Sequence, residues 1–359
     1  MLLFRSFRLR LAGAALLLGT GCSSDPLPSS QPFDGAAPAE AGGPDAAVEA
    51  GRPDVLVPRW DSTVDLPCNT WVALCDRTYD SISFAVTHAS MAHSSPLFTY
   101  PAQRKSLRTQ LDDTVRALML EVHEWEGKLA LCLGDCAEGN RSFQNGLGEI
   151  GAFLADNPRE VVTLIVENHV AADRIATALD QAGLSPFLHA QVEGQGWPTL
   201  RQMIDGGRRL VVFVDDATDA PSTLLPLWRF AWATRADFHR PEEMNCALVR
   251  GDERNPFALI LHVLTDTEKA RSLEEPDAGD GAITTSDANL AESGPDAPAG
   301  VTGHPSEALA AEINSNPFLM DRLRTCQLQH GKLLNFVAVD FYDTSDVVAV
   351  SQKLNELIP

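Results

Sequence analysis

His88, Glu121, Glu167 and Asp340 each follow a short apolar run, and their types suit proton transfer and cation binding. Histidine titrates near neutrality, so His88 can take up or release a proton under working conditions. A carboxylate such as Asp340 beside it would orient the imidazole and favour its charged form. Glu121 and Glu167 offer hard oxygens from separate segments, a donor type that suits calcium. His123 follows Glu121 by two residues and, in an extended chain, points to the same side, where it could supply a proton. Arg116, at the head of the run that carries Glu121, joins the candidate catalytic residues. Each also has a plain alternative. His88 could be a packed histidine at a strand end, and Asp340 a helix-capping aspartate. His123 could pack at a rim, and the glutamates could pair with Arg116 or backbone donors.

Apolar spacing supplies the frame. Residues 81–87 read as a strand that delivers His88. Leu107, Leu111 and Val115, spaced four apart, read as one face of a helix. Residues 116–122 and 129–133 read as strands. A helix carrying Leu147, Ile150 and Leu154 stops at Asn157-Pro158, because proline cannot continue it. Residues 160–166 form a strand ending in Glu167. Strands at 209–216, 258–264 and 335–339 follow, with helices at 307–324 and 347–357. Strands alternating with helices indicate parallel pairing, with the chemistry at the carboxyl ends. The last strand of such a barrel closes beside the first, which brings Asp340 to His88.

Several motifs in this frame stand in order: Thr87-His-Ala-Ser90, Arg116-Ala-Leu-Met-Leu-Glu121, Leu131-Cys-Leu-Gly134, and Phe153-Leu-Ala-Asp-Asn-Pro158 followed by Glu160-Val-Val162. Together they resemble the X domain of phosphatidylinositol-specific phospholipase C, above all the bacterial and plant phospholipase C-like phosphodiesterases. The likeness continues through Arg209–Phe213, Trp228–Phe230 and Asn335–Tyr342, so it covers nearly everything after Cys68. It implies an α/β fold, a distorted TIM (β/α) barrel. It also implies cleavage of a phosphodiester in a phospholipid or inositol-phosphate-like molecule, with His88 taking the proton of a ring hydroxyl that attacks phosphorus.

Three positions depart from the family pattern: Ala89 stands for Asn, Glu121 for Asp, and Leu133 for the histidine that protonates the leaving alkoxide. Leucine has no proton to give, and losing a general acid costs about 10²–10⁴-fold. His123 is the available substitute. Glu167-Asn-His169 is similar to the segment whose glutamate binds calcium in animal enzymes. Their remaining ligands match Ala89 and Met119 here, so a calcium site would rest on Glu121, Glu167 and water. Two readings follow: a phosphoric diester hydrolase working by histidine general-base catalysis, and a ligand-binding lipoprotein on the same barrel without turnover.

A net charge of −21 over 359 residues argues against nucleic acid, whose phosphates attract basic surfaces. Residues 1–21 carry Arg5, Arg8 and Arg10, an apolar run, and small residues before Cys22. They read as the signal peptide of an exported bacterial lipoprotein, lipidated at Cys22 and membrane-anchored, with ordinary signal cleavage as the alternative. Residues 22–60, rich in Pro, Ala, Gly and Asp, read as a disordered tether. The barrel would occupy 61–359, interrupted by a disordered acidic insertion at about 268–306. Of seven cysteines, six remain beside Cys22, an even number that suits an oxidising compartment. The sequence leaves their pairing open. Proximity favours Cys68 with Cys75 and Cys132 with Cys136, which leaves Cys246 with Cys326. The C-x-x-C spacing of a structural zinc cluster is absent.

Overall fold

Side chains along a strand alternate between two faces, and here both faces of the central sheet are apolar and buried. The computed structural model describes residues 66–94, 98–236, 238–266 and 303–356. The signal segment, Cys22, the tether and residues 267–302 lie outside the described residues.

The strands are β1 (Phe84–Thr87), β2 (Ala117–Trp125), β3 (Lys128–Cys132), β4 (Asn140–Ser142), β5 (Val162–Asn168), β6 (Leu210–Val214), β7 (Leu225–Pro226), β8 (Ala231–Thr234), β9 (Leu248–Gly251), β10 (Phe257–His262), β11 (Thr265–Asp266), β12 (His304–Pro305) and β13 (Phe336–Val339). The helices are α1 (Leu107–Asp112), α2 (Phe143–Asp156), α3 (Ala172–Gln181), α4 (Leu200–Asp205), α5 (Leu227–Phe230), α6 (Glu307–Ile313), α7 (Phe318–His330) and α8 (Val347–Glu356). Strands β7, β6, β5, β2, β1, β13, β10 and β8 lie side by side in that order, every neighbouring pair parallel. Read as a circle, this is chain order. The fold is a distorted (β/α) barrel that, among the described residues, stays open between β7 and β8.

Interior positions form one cluster: Phe84 and Val86, Ala117, Ile165, Val211 and Phe213, Phe257 and Leu259, Phe336 and Ala338. Their aromatic rings plug the amino-terminal half of the barrel, with Phe84–Phe336 and Phe257–Phe336 centroids 5.7 and 5.4 Å apart. The alternate residues, such as Leu164, Val212 and Val339, meet Leu147, Ile150 and Phe153 of α2 and Val350 and Leu354 of α8. Each such buried side chain contributes about 1.5–3 kcal/mol relative to exposure.

Three local outcomes differ from the sequence pattern. Helix α1 ends at Asp112, and Val115 follows a left-handed turn at Thr114 (φ 73°). The expected helix at 307–324 is two helices, because Pro317 lacks an N–H and keeps Asn316 out of helical geometry. The 129–133 segment is not a parallel barrel strand. It is β3, which folds back antiparallel on the end of β2 and pairs with β4. The end of the expected insertion is paired, β12 lying antiparallel to β11. The disulfides are Cys68–Cys75, Cys132–Cys136 and Cys246–Cys326.

Candidate active site

The interior alternation continues past the strand ends and places the site. His88 follows Val86 by two residues, and Asp340 follows Ala338 likewise. Asp215 stands two beyond Phe213. Glu121 and His123 extend the Ala117–Met119 series, and Glu167 and His169 extend that of Ile165. All face the carboxyl-end mouth of the barrel.

His88 Nδ1 lies 2.8 Å from Asp340 Oδ1. The imidazole is half-buried and the Asp340 side chain is 3% exposed. Burial alone would lower the His88 pKa. The Asp340 charge and hydrogen bond, with Glu167 and Glu121 further off, outweigh that and raise it. The buried Gln103 clamps the backbone behind the pair: its Nε2 donates to His88 O and Val339 O at 2.8 and 3.0 Å. The residues that follow the pair, Ala89 (φ 42°) and Phe341 (φ 48°), both adopt left-handed geometry, which costs about 1–2 kcal/mol for a non-glycine residue.

A second cluster stands beside it. Strands β2 and β5 pair in register, Glu121 opposite Glu167, and His169 N continues the ladder by donating to Val122 O at 2.9 Å. His123 Nε2 lies 2.6 Å from Glu121 Oε1, and His169 Nε2 lies 3.3 Å from Glu121 Oε1 and 3.2 Å from Glu167 Oε1. The two imidazoles stack, centroids 4.1 Å apart and planes 11° from parallel. Gly134 N–H donates to both Glu121 oxygens at 3.2 and 3.1 Å, from a loop closed by the Cys132–Cys136 disulfide. Burial would raise the Glu121 pKa, but hydrogen bonds from His123, His169 and Gly134 bring it down to about 2. The hydrogen bonds to Glu121 and then Glu167 push His169 up to about 10.

Arg116 does not join this site. It precedes β2, at the opposite end of the barrel, where Nε holds Glu160 at 2.7 Å and Nη1 donates to Leu111 O and Val115 O. Its guanidinium stacks on Phe153. The arrangement is structural, because an extended run carries its first and sixth residues, Arg116 and Glu121, to opposite rims. Leu133 packs partly buried against the outer apolar cluster and offers no proton. His123 spends Nε2 on Glu121, which removes that nitrogen from proton delivery. Calcium does not fit the donors present. It takes about six to eight oxygens, whereas His169 Nε2 lies between Glu121 and Glu167 and His123 Nε2 occupies a Glu121 oxygen, and neither Ala89 nor Met119 has a side-chain oxygen.

Sequence reasoning did not single out His169 or Arg250. For His169 the signal was present: Glu121-Val-His123 and Glu167-Asn-His169 repeat one E-x-H spacing at the ends of two strands. Arg250, on β9, reaches Asp215 at 3.1 Å and stacks over the Trp228 ring at 4.3 Å. Trp228 Nε1 also donates to Asp215.

A family model for the PI-PLC X domain matches residues 74–293. PI-PLC X domain-containing protein 1 of Arthroderma benhamiae is 31% identical over 215 residues, 56% of this chain and 69% of that one. A second A. benhamiae protein, described as an uncharacterized secreted protein, is 28% identical over 207 residues. That match covers 51% of this chain and 46% of the relative, so the chain spans about half of its length. The phosphatidylinositol-specific phospholipase C of Listeria monocytogenes superposes with a TM-score of 0.46 at 12% identity, over 78% of this chain and 95% of that one.

Proposed function

Since the chain belongs to the PI-PLC X-domain family, we propose that it cleaves a phosphodiester in a phospholipid or inositol-phosphate-like molecule, with His88 as general base. The observation that carries this reading is the 2.8 Å contact between His88 Nδ1 and Asp340. With Nδ1 engaged, Nε2 is the nitrogen left to take a proton from a substrate hydroxyl. That hydroxyl oxygen then bonds to phosphorus, and the bond from phosphorus to the leaving oxygen breaks. Arg250, oriented by Asp215 and Trp228, is the cation we assign to the phosphate.

The experiment compares phosphatidylinositol with an inositol phosphate nitrophenyl ester, whose leaving group needs no proton. Turnover of the ester that disappears in His88→Ala supports the reading. Leu133, packed on the core where the family carries an acid, favours a second reading, a ligand-binding barrel without turnover. If wild type and Leu133→His are both inactive on both substrates while the folded protein binds inositol phosphates, the second reading replaces the first.

We also propose export with a lipid anchor on Cys22. Three disulfides suit an oxidising compartment, and one relative is described as secreted. Cys22→Ser should move the protein from the membrane fraction to the soluble one; unchanged fractionation would reject the anchor.

A further inference from the structure

The E-x-H pairs at the ends of β2 and β5 are register mates, so two carboxylates and two imidazoles crowd one patch of the barrel mouth. We infer that Glu121, His123 and His169 bind a divalent transition ion of the zinc class, with Glu167 as the fourth donor. The donor atoms of the three lie within 4.8 Å of one another. The His169 Nε2 distances to Glu121 and Glu167, 3.3 and 3.2 Å, match the edge of a tetrahedron with metal–ligand bonds of about 2.0–2.1 Å, which is about 3.3 Å. The 2.6 Å contact of His123 with Glu121 is a hydrogen bond that would open by about 0.7 Å to reach that edge.

Donor chemistry decides the ion. Imidazole nitrogens with carboxylate oxygens select zinc and its neighbours, whereas calcium needs more oxygens than the site supplies. The Gly134 N–H that holds both Glu121 oxygens is the outer hydrogen bond that orients a ligating carboxylate. The rings lie near parallel, so one must tilt before both lone pairs meet a single ion. His169, with 44% of its side chain exposed, is free to do so and leaves an entry path. The ion would lie beside His88, where a Lewis acid can stabilise the leaving oxygen that Leu133 cannot protonate.

The inference rests on the proposed reading only for that last role, so its test omits substrate. The full chain, stripped with a chelator, is titrated with zinc chloride in a calorimeter, and bound metal is counted after gel filtration. One ion per chain is expected, retained against about a 100-fold excess of calcium. His123→Ala and His169→Ala should each weaken binding by about 10²-fold or more. His93→Ala, outside the cluster, should bind as wild type does. Absence of stoichiometric zinc, displacement by calcium, or unaltered binding in His169→Ala would overturn the site. Should His123→Ala misfold, the exposed His169 decides alone. Failed zinc binding leaves the phosphodiesterase reading standing, whereas a zinc-loaded protein inactive on both substrates counts against that reading instead.

Discussion

His88 and Asp340, separated by 252 positions in the chain, meet at 2.8 Å because β13 closes the barrel against β1. Burial alone would lower the His88 pKa below 6.5, but the Asp340 charge and hydrogen bond, together with the charges of Glu167 and Glu121, outweigh it and raise the value. A general base works deprotonated, so kcat on the nitrophenyl ester should rise with pH through that raised value. Asp340→Asn should shift the rising limb to lower pH and reduce kcat by about 10²–10⁴-fold. An unmoved limb in that variant would refute the pairing's role. The same pair stabilises the fold fully below the unfolded value, and this contribution is lost as pH rises through the folded one.

The Glu121–His169 contact predicts a stability profile with two limbs. Glu121, held at about 2, contributes above its ordinary 4.5, and that contribution is lost as pH falls toward 2. His169, pushed up to about 10, contributes fully below 6.5 and loses its share as pH rises through 10. Melting temperatures from about pH 5 to about pH 10 should therefore fall less steeply for His169→Gln than for wild type. An equal alkaline fall in both proteins would assign the limb to other groups.

Leu133→His restores a proton donor at the family position. In metal-free protein it should speed cleavage of phosphatidylinositol by about 10²–10⁴-fold and change the nitrophenyl ester little. An equal gain on both substrates would mean that the substitution acts on something other than leaving-group protonation.

Arg116→Ala should act on stability alone. It strands the carboxylate of Glu160, of which 12% is exposed, at a cost of about 3–5 kcal/mol in urea unfolding. Turnover per folded molecule should stay at the wild-type level. A fall in kcat without a fall in stability would return Arg116 to the chemistry.

Gly134 adopts φ +63° while its N–H holds Glu121. Gly134→Ala meets no steric neighbour, so its cost is the left-handed backbone, about 1–2 kcal/mol, read as a lowered melting temperature. A variant as stable as wild type would show that the loop relaxes to another conformation.

The sequence by itself determined strands β1, β2, β3, β5, β6, β10 and β13, their two-residue alternation and hence most of the side chains that reach the barrel mouth, but not β7, β8 or β9. It also led to Asp340 beside His88, because a closed parallel barrel returns its last strand to its first. Cys68–Cys75 and Cys132–Cys136 were legible from proximity. Only the tertiary structure separated Arg116 from Glu121: five residues apart in one motif, they sit about 16 Å apart on an extended strand, at opposite rims. Apolar runs do not encode the direction of a partner strand, so the antiparallel return of β3, which brings Gly134 to Glu121, was not legible. Nor did either E-x-H triplet predict its partner. Their meeting depends on the register of β2 against β5, set by packing along the whole strand pair, and that register turned two glutamates read as an oxygen site into a mixed cluster with His123 and His169.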